Sequence, residues 1–150
     1  MHIQEDDPER DDVVQLIAEH LQFSIDSSPP GHCFVFDSDA LKSPQVSFWT
    51  ARDGGELLGM IALQQIEDGH GEIKSVHTVS RARGRGIGSR LLAHVIASAR
   101  ARGLKRLSLE TGDNHAYAPS RILYKSLGFK PCPVFAGYVE GFSYCMTRLI

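Results

Sequence analysis

The sequence has few cysteines, no long apolar run and no excess of positive charge. Its 150 residues include three cysteines, Cys33, Cys132 and Cys145, widely spaced and without a Cys-x-x-Cys pair. An odd number at this spacing argues against a disulfide framework or a zinc site, and it favours a reducing compartment. No apolar run approaches the roughly 20 residues that span a bilayer, and the acidic start MHIQEDDPERDD lacks the apolar segment of a signal peptide. These absences predict a cytoplasmic protein that has no membrane partner.

The remaining bulk properties predict one ordinary folded domain. The net charge of -2 argues against a general nucleic-acid binder, which would carry a basic surface. Seven histidines show no close pairing, so no metal site is predicted. A chain of this length buries roughly 70% of its unfolded surface, and no repeat or linker divides it. We therefore expect a single domain over residues 1–150.

Alternating and β-branched runs predict most of the strands. The runs Val46–Arg52 and Glu56–Ile66 flank the turn DGG and predict a β-hairpin. A third strand of this group follows at Glu72–Ser80, and a later one covers Leu104–Gly112. With a short first strand at MHIQ and a last one in EGFSYCMTRLI, the order is β-α-β-β-β-α-β-α-β, with one more short strand expected after Gly128. This order predicts a mixed α/β domain.

Helical periodicity predicts three main helices and a doubtful short one near Asp37–Leu41. The first covers roughly Pro8 to Gln22, with Val13, Val14, Ile17 and Leu21 on its apolar face. The last runs through YAPSRILYKSLGF up to Leu127. The middle helix starts at Gly86 and ends before Gly103. Its predicted apolar face consists of Ile87, Leu91, Leu92, Val95, Ile96 and Ala99.

The segment RARGRGIGSRLL, which joins a strand to the middle helix, predicts a phosphate site. Glycines let backbone amides approach a ligand closely, and amides at a helix start attract phosphate oxygens. A Walker loop is excluded because Gly88 is followed by Ser89 and Arg90 rather than by Lys and Ser or Thr. The glycine spacing also departs from the Gly-x-Gly-x-x-Gly dinucleotide fingerprint. The alternative for the isolated motif is a turn with a solvated arginine cluster.

Two motifs together resemble the GNAT family, the GCN5-related N-acetyltransferases. RGRGIG resembles the family's Arg/Gln-x-x-Gly-x-Gly/Ala turn, and SRILYKSLGF resembles its Ala-x-x-Leu-Tyr-x-x-x-Gly-Phe helix. GEIKSVHT, RLSLETG and YCMTRL are similar to segments of small uncharacterised bacterial acetyltransferases. The resemblance implies the GNAT fold, which belongs to the α/β (α+β) class. In that fold a mixed, mostly antiparallel central sheet is splayed between its fourth and fifth strands, with helices on both faces.

The resemblance implies acetyl-CoA as a co-substrate and assigns positions to it. The backbone of Val76, His77 and Thr78 would pair with the thioester arm. Many members also have an asparagine that contacts this arm, but here that position is Tyr117, and Asn114 is a candidate slightly upstream. The pyrophosphate would be held by the amides of the turn, formed by Arg83, Gly84, Arg85, Gly86, Ile87, Gly88 and Ser89.

The same resemblance implies catalytic roles for two residues. Tyr124 matches the tyrosine that protonates the leaving thiolate, and the alternative is a core tyrosine hydrogen-bonded to the backbone. Glu72 matches a glutamate used as general base, and the alternative is a solvated strand-end carboxylate. Glu110 is a second candidate, for base or for substrate recognition, unless it forms an ion pair. A packed role is favoured for the His77 side chain, and the cysteines are disfavoured as an acetyl relay.

The acceptor is predicted from two loops, SPPGHCFVFDSD and KPCPVFAGYVEG. Their acidic and aromatic residues Asp37, Asp39, Phe135 and Tyr138 suit the amine of a small molecule or an amino-acid-like compound. A protein terminus or side chain stays open as an acceptor. The oligomeric state stays open as well, and a homodimer is one alternative because many members of the family pair as dimers. Two other function classes remain: a CoA-binding sensor that transfers nothing, and an interaction module with a vestigial cleft.

Overall fold

The computed structural model describes residues 1–31 and 35–150, and its seven strands form one sheet in the order β1-β2-β3-β4-β5-β7-β6. The β4–β5 pair is parallel and the other pairs are antiparallel. The predicted mixed, mostly antiparallel sheet is confirmed. The strands are β1 (His2–Glu5), β2 (Val46–Asp53), β3 (Glu56–Glu67), β4 (His70–Thr78), β5 (Arg106–Gly112), β6 (Lys130–Pro131) and β7 (Ser143–Leu149).

Four α-helices accompany the sheet within the described ranges. They are α1 (Asp11–Ser27), α2 (Ser38–Leu41), α3 (Ile87–Ala101) and α4 (Ala118–Ser126). Short 3₁₀ turns at Ser80–Ala82 and His115–Tyr117 precede α3 and α4. The fourth strand therefore ends at Thr78, two residues before the predicted end. No helix in the described part of the chain is both long and apolar enough to cross a membrane.

The helices lie on opposite faces of the sheet, as β2 shows. Trp49 of β2 contacts the His94 ring of α3, with ring centroids 5.9 Å apart. The next residue, Thr50, donates a hydrogen bond of 2.6 Å to Asp6, just ahead of α1. Because successive side chains of a strand point to opposite faces, α1 and α3 cover different sides of the sheet.

Helix α3 packs its predicted apolar face into the core of the molecule. All six residues predicted for that face are buried. The prediction for α1 was wrong at one position, because Val14 is 41% exposed. Leu16 is buried in its place, together with Val13 and Ile17. Helix α1 also continues five residues past the predicted end, to Ser27.

An ion-pair cluster around the buried Asp6 and Arg52 ties the end of β1 and the start of α1 to β2. Asp6, whose side chain is 3% exposed, lies 3.1 Å from Arg52 and 3.1 Å from Arg10. Arg52 also contacts Asp12 at 2.7 Å. Burial alone would raise the pKa of Asp6, but hydrogen bonds from Thr50, the backbone and the two arginines lower it to about 2.

We expect Asp6→Asn to lower the free energy of unfolding by about 3 kcal/mol at neutral pH, because it leaves the buried Arg52 without one of its two carboxylates. The folded pKa of Asp6 lies below its ordinary value of 3.8, so its contribution is present above 3.8 and fades as the pH falls toward 2. Urea unfolding of both proteins across this range measures the effect. The exposed Asp11→Asn is the matched control, with a change within about 0.5 kcal/mol. An equally large loss at Asp11 would contradict the assignment.

Candidate active site

A cleft of about 650 Å³ opens where β4 and β5 separate. Their parallel pairing runs only from His70 to Ile73 on β4 and from Arg106 to Leu109 on β5. Beyond it, β4 stays paired with β3 and β5 stays paired with β7. The facing edges of the two strands therefore leave their backbone groups open to the gap, and the predicted splay is confirmed.

The glycine turn and the start of α3 form one end of this cleft. Gly86, the N-cap of α3, has φ +80° in the left-handed region. A Cβ atom placed on Gly84 or Gly86 would meet nothing within 4 Å, so the space beside the backbone is open. The first amides of an α-helix have no intrahelical acceptor and carry the positive end of its dipole. This end of the cleft can bind a phosphate group through the amides from Ile87 to Ser89.

Tyr124 of α4 and Glu110 of β5 line the same cleft. Burial, together with the charge of Glu110, raises the pKa of the Tyr124 phenol well above its usual value. Burial raises the pKa of Glu110 to about 7; the cation of Lys74 opposes this shift and the carboxylate of Glu72 adds to it. The cleft thus contains a protonated phenol and a carboxyl group that changes charge near neutral pH.

Glu72, predicted as the base, lies in a buried cluster with two other side chains. The Tyr138 hydroxyl donates a short hydrogen bond to Glu72 Oε2 and accepts one of 2.8 Å from Lys74 Nζ. Lys74 Nζ also lies 3.7 Å from Glu72 Oε2, and both side chains are less than 10% exposed. Burial lowers the pKa of Lys74, whereas the charges of Glu72 and Glu110 oppose that shift. The carboxylate of Glu72 therefore stabilises the charge of the buried Lys74 ammonium group.

A pair of histidines, His20 of α1 and His77 of β4, also lines the cleft. His20 Nδ1 and His77 Nδ1 are 2.9 Å apart and share a hydrogen bond. Burial, followed by the charges of His77 and Lys74, lowers the pKa of His20 to about 3. Burial, with the charge of Arg83, lowers the pKa of His77 to about 4. Both rings are therefore neutral at neutral pH. Phe23 packs edge-on against His77 and Tyr117 and extends the aromatic wall.

Comparison with known proteins shows which family has this fold and cleft. The model of the acetyltransferase (GNAT) family matches residues 10–129. The chain belongs to the GNAT family. The protein is 41% identical over 140 residues to the uncharacterised N-acetyltransferase YsnE of Bacillus subtilis, covering 93% of both chains. It is 38% identical over 138 residues to the IAA acetyltransferase of Azospirillum brasilense, covering 91% of this chain and 88% of the relative.

A solved structure shows the same fold with coenzyme A. The aminoglycoside 6'-N-acetyltransferase complexed with coenzyme A superposes with a TM-score of 0.74 at 18% identity, covering 99% of this chain and 97% of that one. GNAT enzymes take their acyl group from acyl-CoA, so this N-acetyltransferase uses an acyl-CoA donor. The open amides of α3 and the exposed edge of β4 fit the pyrophosphate and the arm of such a donor.

Two of the predicted contacts with the donor do not line this GNAT cleft. Arg85 is exposed and is absent from the cleft wall that the described residues form. The Asn114 amide is engaged elsewhere, because it donates to the Ser27 carbonyl at 2.6 Å and caps the turn at Ala116. The other predicted positions line the cleft: Glu72, Val76, His77, Thr78, Arg83, Gly84, Gly86, Ile87, Gly88, Ser89, Glu110, Tyr117 and Tyr124.

The two predicted acceptor loops contribute unequally to the wall of the cleft. Tyr138 lines the cleft, and Phe135 packs against its ring at 5.4 Å. Asp37 instead caps α2, and Asp39 pairs with Lys42 at 3.3 Å. Residues 32–34 of the first loop, including Cys33, lie outside the described residues. These two aspartates therefore interact with α2 and its C-terminal neighbour Lys42.

Sequence reasoning missed His20, Lys74 and Ser75 as parts of this GNAT site. His20 lies in a helix whose periodicity indicated only a core face, and its contact with His77 spans 57 positions. Lys74 is two residues from Glu72 on the same strand, and this spacing could have indicated a shared face. Ser75 has a positive φ of +58°, and the sequence around it carries no local sign of this conformation.

Proposed function

We propose that this enzyme binds acetyl-CoA in the cleft between β4 and β5 and transfers the acetyl group directly to an amine of a small or amino-acid-like acceptor. The observation that carries the proposal is the convergence of three elements on one cavity. The α3 amides, the Tyr124 phenol and the Glu110 carboxyl all line it. Positioning and main-chain polarity then account for much of the catalysis.

The donor is held mainly by backbone. The amides from Gly86 to Ser89 bind the pyrophosphate, and the free edge of β4 from Val76 to Thr78 pairs with the arm. Arg83 adds positive charge at this end, where its Nε approaches the Thr78 carbonyl at 3.5 Å. Tyr117 encloses the arm, since its hydroxyl bonds Ser28 at 3.1 Å and joins the end of α1 to the far side of the cleft.

Glu110 is the stronger candidate for the general base. An acceptor amine arrives as an ammonium ion and must lose a proton before it attacks. A carboxylate with a pKa of about 7 accepts protons efficiently near neutral pH. Glu72 is less suited, because its Oε2 already accepts a hydrogen bond from Tyr138 and faces Lys74. We assign Glu72 to holding Lys74 and Tyr138 in place.

The acceptor side of the cleft suits a compact amine with an apolar or aromatic body. Carboxyl groups line one part of the wall, and Phe23, Tyr117 and two neutral histidines line another. The ammonium group fits beside the carboxyl groups, whereas the body packs against the rings. The relative named IAA acetyltransferase supports a small molecule over a protein as the acceptor.

The decisive experiment is an acceptor screen with detection of the released thiol. Purified protein is incubated with acetyl-CoA and a panel of arylalkylamines, polyamines, amino acids and peptide N-termini. We expect release with the small amines to exceed release with peptides. Acetyl-CoA binding without release across the panel would favour a sensor, and absence of binding in calorimetry would indicate a vestigial cleft.

A negative charge at the start of α3 tests the donor site. We expect Ser89→Asp to raise the Kd for coenzyme A about tenfold or more, because its carboxylate competes with the pyrophosphate for the helix amides. An aspartate in the first turn of α3 also stabilises the helix through its dipole, so the Tm of Ser89→Asp should not fall. Titration calorimetry and thermal melting measure the two effects. The isosteric, neutral Ser89→Asn is the control. Equal affinities of both variants would place the pyrophosphate elsewhere.

The location and assembly of the protein stay predictions. A reducing, cytoplasmic setting rests on the number and spacing of the cysteines. The homodimer is an alternative taken from the family resemblance, and the absence of nucleic-acid partners rests on the net charge alone. Light scattering of the purified protein tests the dimer.

A further inference from the structure

The wall of the cleft contains an ammonium group that the proposed reaction does not use. It belongs to Lys74, which lines the cleft and has a side chain that is 9% exposed. Its Nζ donates a hydrogen bond of 2.8 Å to the Tyr138 hydroxyl, lies 3.7 Å from Glu72 Oε2 and is 4.2 Å from the centre of the Phe36 ring. A buried cation needs such partners, because its removal from water is costly. The protein therefore carries a primary ammonium ion of its own in a cleft that is to bind an acceptor amine.

Strand register places this ammonium group on the same face of the sheet as the two carboxyl groups of the cleft. Glu72 pairs with Ser108 of β5 in the parallel ladder, so these two side chains point to one face. Lys74 and Glu110 each lie two residues further along their strands and therefore share that face. The charges of Lys74 and Glu72 both act on the pKa of Glu110. The three ionisable groups thus form one cluster at the point where the strands separate.

A β-bulge in β4 brings the histidine pair to the same face as this cluster. Lys74 and His77 lie opposite two β3 residues that are only two positions apart, so β4 has one extra residue here, at Ser75. Because residues two apart on a strand share a face, His77 lies on the face of Lys74. The hydrogen bond between the Nδ1 atoms of His20 and His77 requires that one of them carry no proton, and both rings are neutral at neutral pH. The histidine pair therefore contributes no negative charge that could bind a cation.

The two carboxyl groups of the cleft differ in what they already bind. Among residues 1–31 and 35–150, Glu72 and Glu110 are the only acidic residues in the cleft wall. Glu72 accepts a hydrogen bond from Tyr138 and faces Lys74. Glu110 forms no hydrogen bond or ion pair with any described residue, yet its oxygens are not sealed inside the protein. One carboxyl group is thus left for a ligand.

We propose that Lys74 determines the specificity for the acceptor: its ammonium group occupies the place of a second acceptor cation, so the enzyme acetylates monoamines and rejects diamines and polyamines. The inference rests on the proposed transfer from acetyl-CoA to an amine and narrows the class of that amine. An acceptor with one ammonium group finds one available carboxyl group, that of Glu110. A second ammonium group would meet Lys74 at a carboxylate, Glu72, whose charge is already compensated. Like charges brought together in this way oppose binding.

Matched pairs of acceptors test this exclusion in the wild-type enzyme. Butylamine is compared with putrescine, and the best monoamine of the screen with its analogue that carries a second amino group at the far end. We expect kcat/KM for each diamine to be at least about tenfold lower than for its monoamine. A diamine that reacts as well as its monoamine would overturn the proposal.

Replacing Lys74 tests whether its charge causes the exclusion. Lys74→Ala leaves a space as long as a butylammonium chain beside Glu72, so kcat/KM for putrescine should rise about tenfold or more while that for butylamine does not rise. Lys74→Arg keeps the cation and should keep the preference for monoamines. The exposed Lys125→Ala on α4, outside the cleft wall, is the matched control and should leave both rates unchanged. A purely structural role would lower both rates alike in Lys74→Ala, and that result would overturn the proposal.

A binding measurement tests the same point without any acetyl transfer. Putrescine is titrated calorimetrically into the protein with coenzyme A bound, and its Kd should be at least about tenfold lower for Lys74→Ala than for the wild type. Equal Kd values would overturn the proposal. Lys74→Met keeps the aliphatic packing on the Phe36 ring and removes the charge, so it should also lose the discrimination and replaces Lys74→Ala if that variant does not fold. If no amine in the panel is acetylated, the proposed function fails, while the binding of putrescine still decides the role of Lys74.

Discussion

Replacing Tyr124 with phenylalanine is expected to lower kcat for acetyl transfer about 10²- to 10³-fold while leaving the affinity for coenzyme A within about twofold. General acids of this kind contribute roughly 10²- to 10⁴-fold. The phenol is 7% exposed, and burial keeps its pKa high, so it carries its proton throughout the working range. It can therefore stabilise the departing sulfur, whose thiol has an ordinary pKa of about 8.5.

The variant should fold normally, because phenylalanine keeps the ring that packs against Phe129 at 6.2 Å. Steady-state kinetics with the best amine give kcat, and titration calorimetry gives the Kd. Tyr144→Phe is the matched control, since Tyr144 is partly buried on β7 and is not part of the cleft wall. An unchanged kcat in Tyr124→Phe would reduce Tyr124 to a packing residue.

The parts of the site that are local in sequence were predictable. The glycine turn and the apolar face of α3 come from one contiguous segment, because helix periodicity and helix-start amides both act over a few residues. The roles of Tyr124 and the splayed strands came only from the resemblance. The end of α1 was missed because its last turns point Ser24 and Phe23 toward the cleft, so the apolar period is interrupted there.

The parts of the site that depend on distant residues were not predictable. Tyr138 contacts Glu72 across 66 positions, so the engagement of that carboxylate depends on how a late loop packs. The pKa of Glu110 is raised mainly by burial, which likewise arises only when the chain folds. The bulge at Ser75 depends on the register of β3. The resemblance therefore pointed to Glu72, whereas we propose Glu110 as the base.

Replacing Glu110 with glutamine is expected to lower kcat/KM about 10²- to 10³-fold at pH values above about 7. In the wild type, kcat/KM should rise with pH through a limb near the Glu110 pKa of about 7, because only the ionised carboxyl accepts the proton of the amine. Among the charged neighbours of Glu110, Lys74 lowers its pKa and Glu72 raises it, so both shift the pH of this limb. The variant should lose the limb and retain the one at higher pH that belongs to the acceptor ammonium. Initial rates across the pH range at subsaturating amine measure both limbs.

Glu72→Gln is the matched control, and the two variants should differ in stability as well as in rate. The pKa of folded Glu110 lies above its ordinary value of 4.5, so its ionisation destabilises the fold as the pH rises through about 7. Glu110→Gln should therefore be at least as stable as the wild type in alkaline buffer. Glu72→Gln should lower Tm, because Lys74 loses the carboxylate that lies 3.7 Å from its Nζ. It should also keep the limb and shift it to lower pH, since a negative neighbour of Glu110 has been removed. Loss of the limb in Glu72→Gln, with a normal limb in Glu110→Gln, would return the role of base to Glu72.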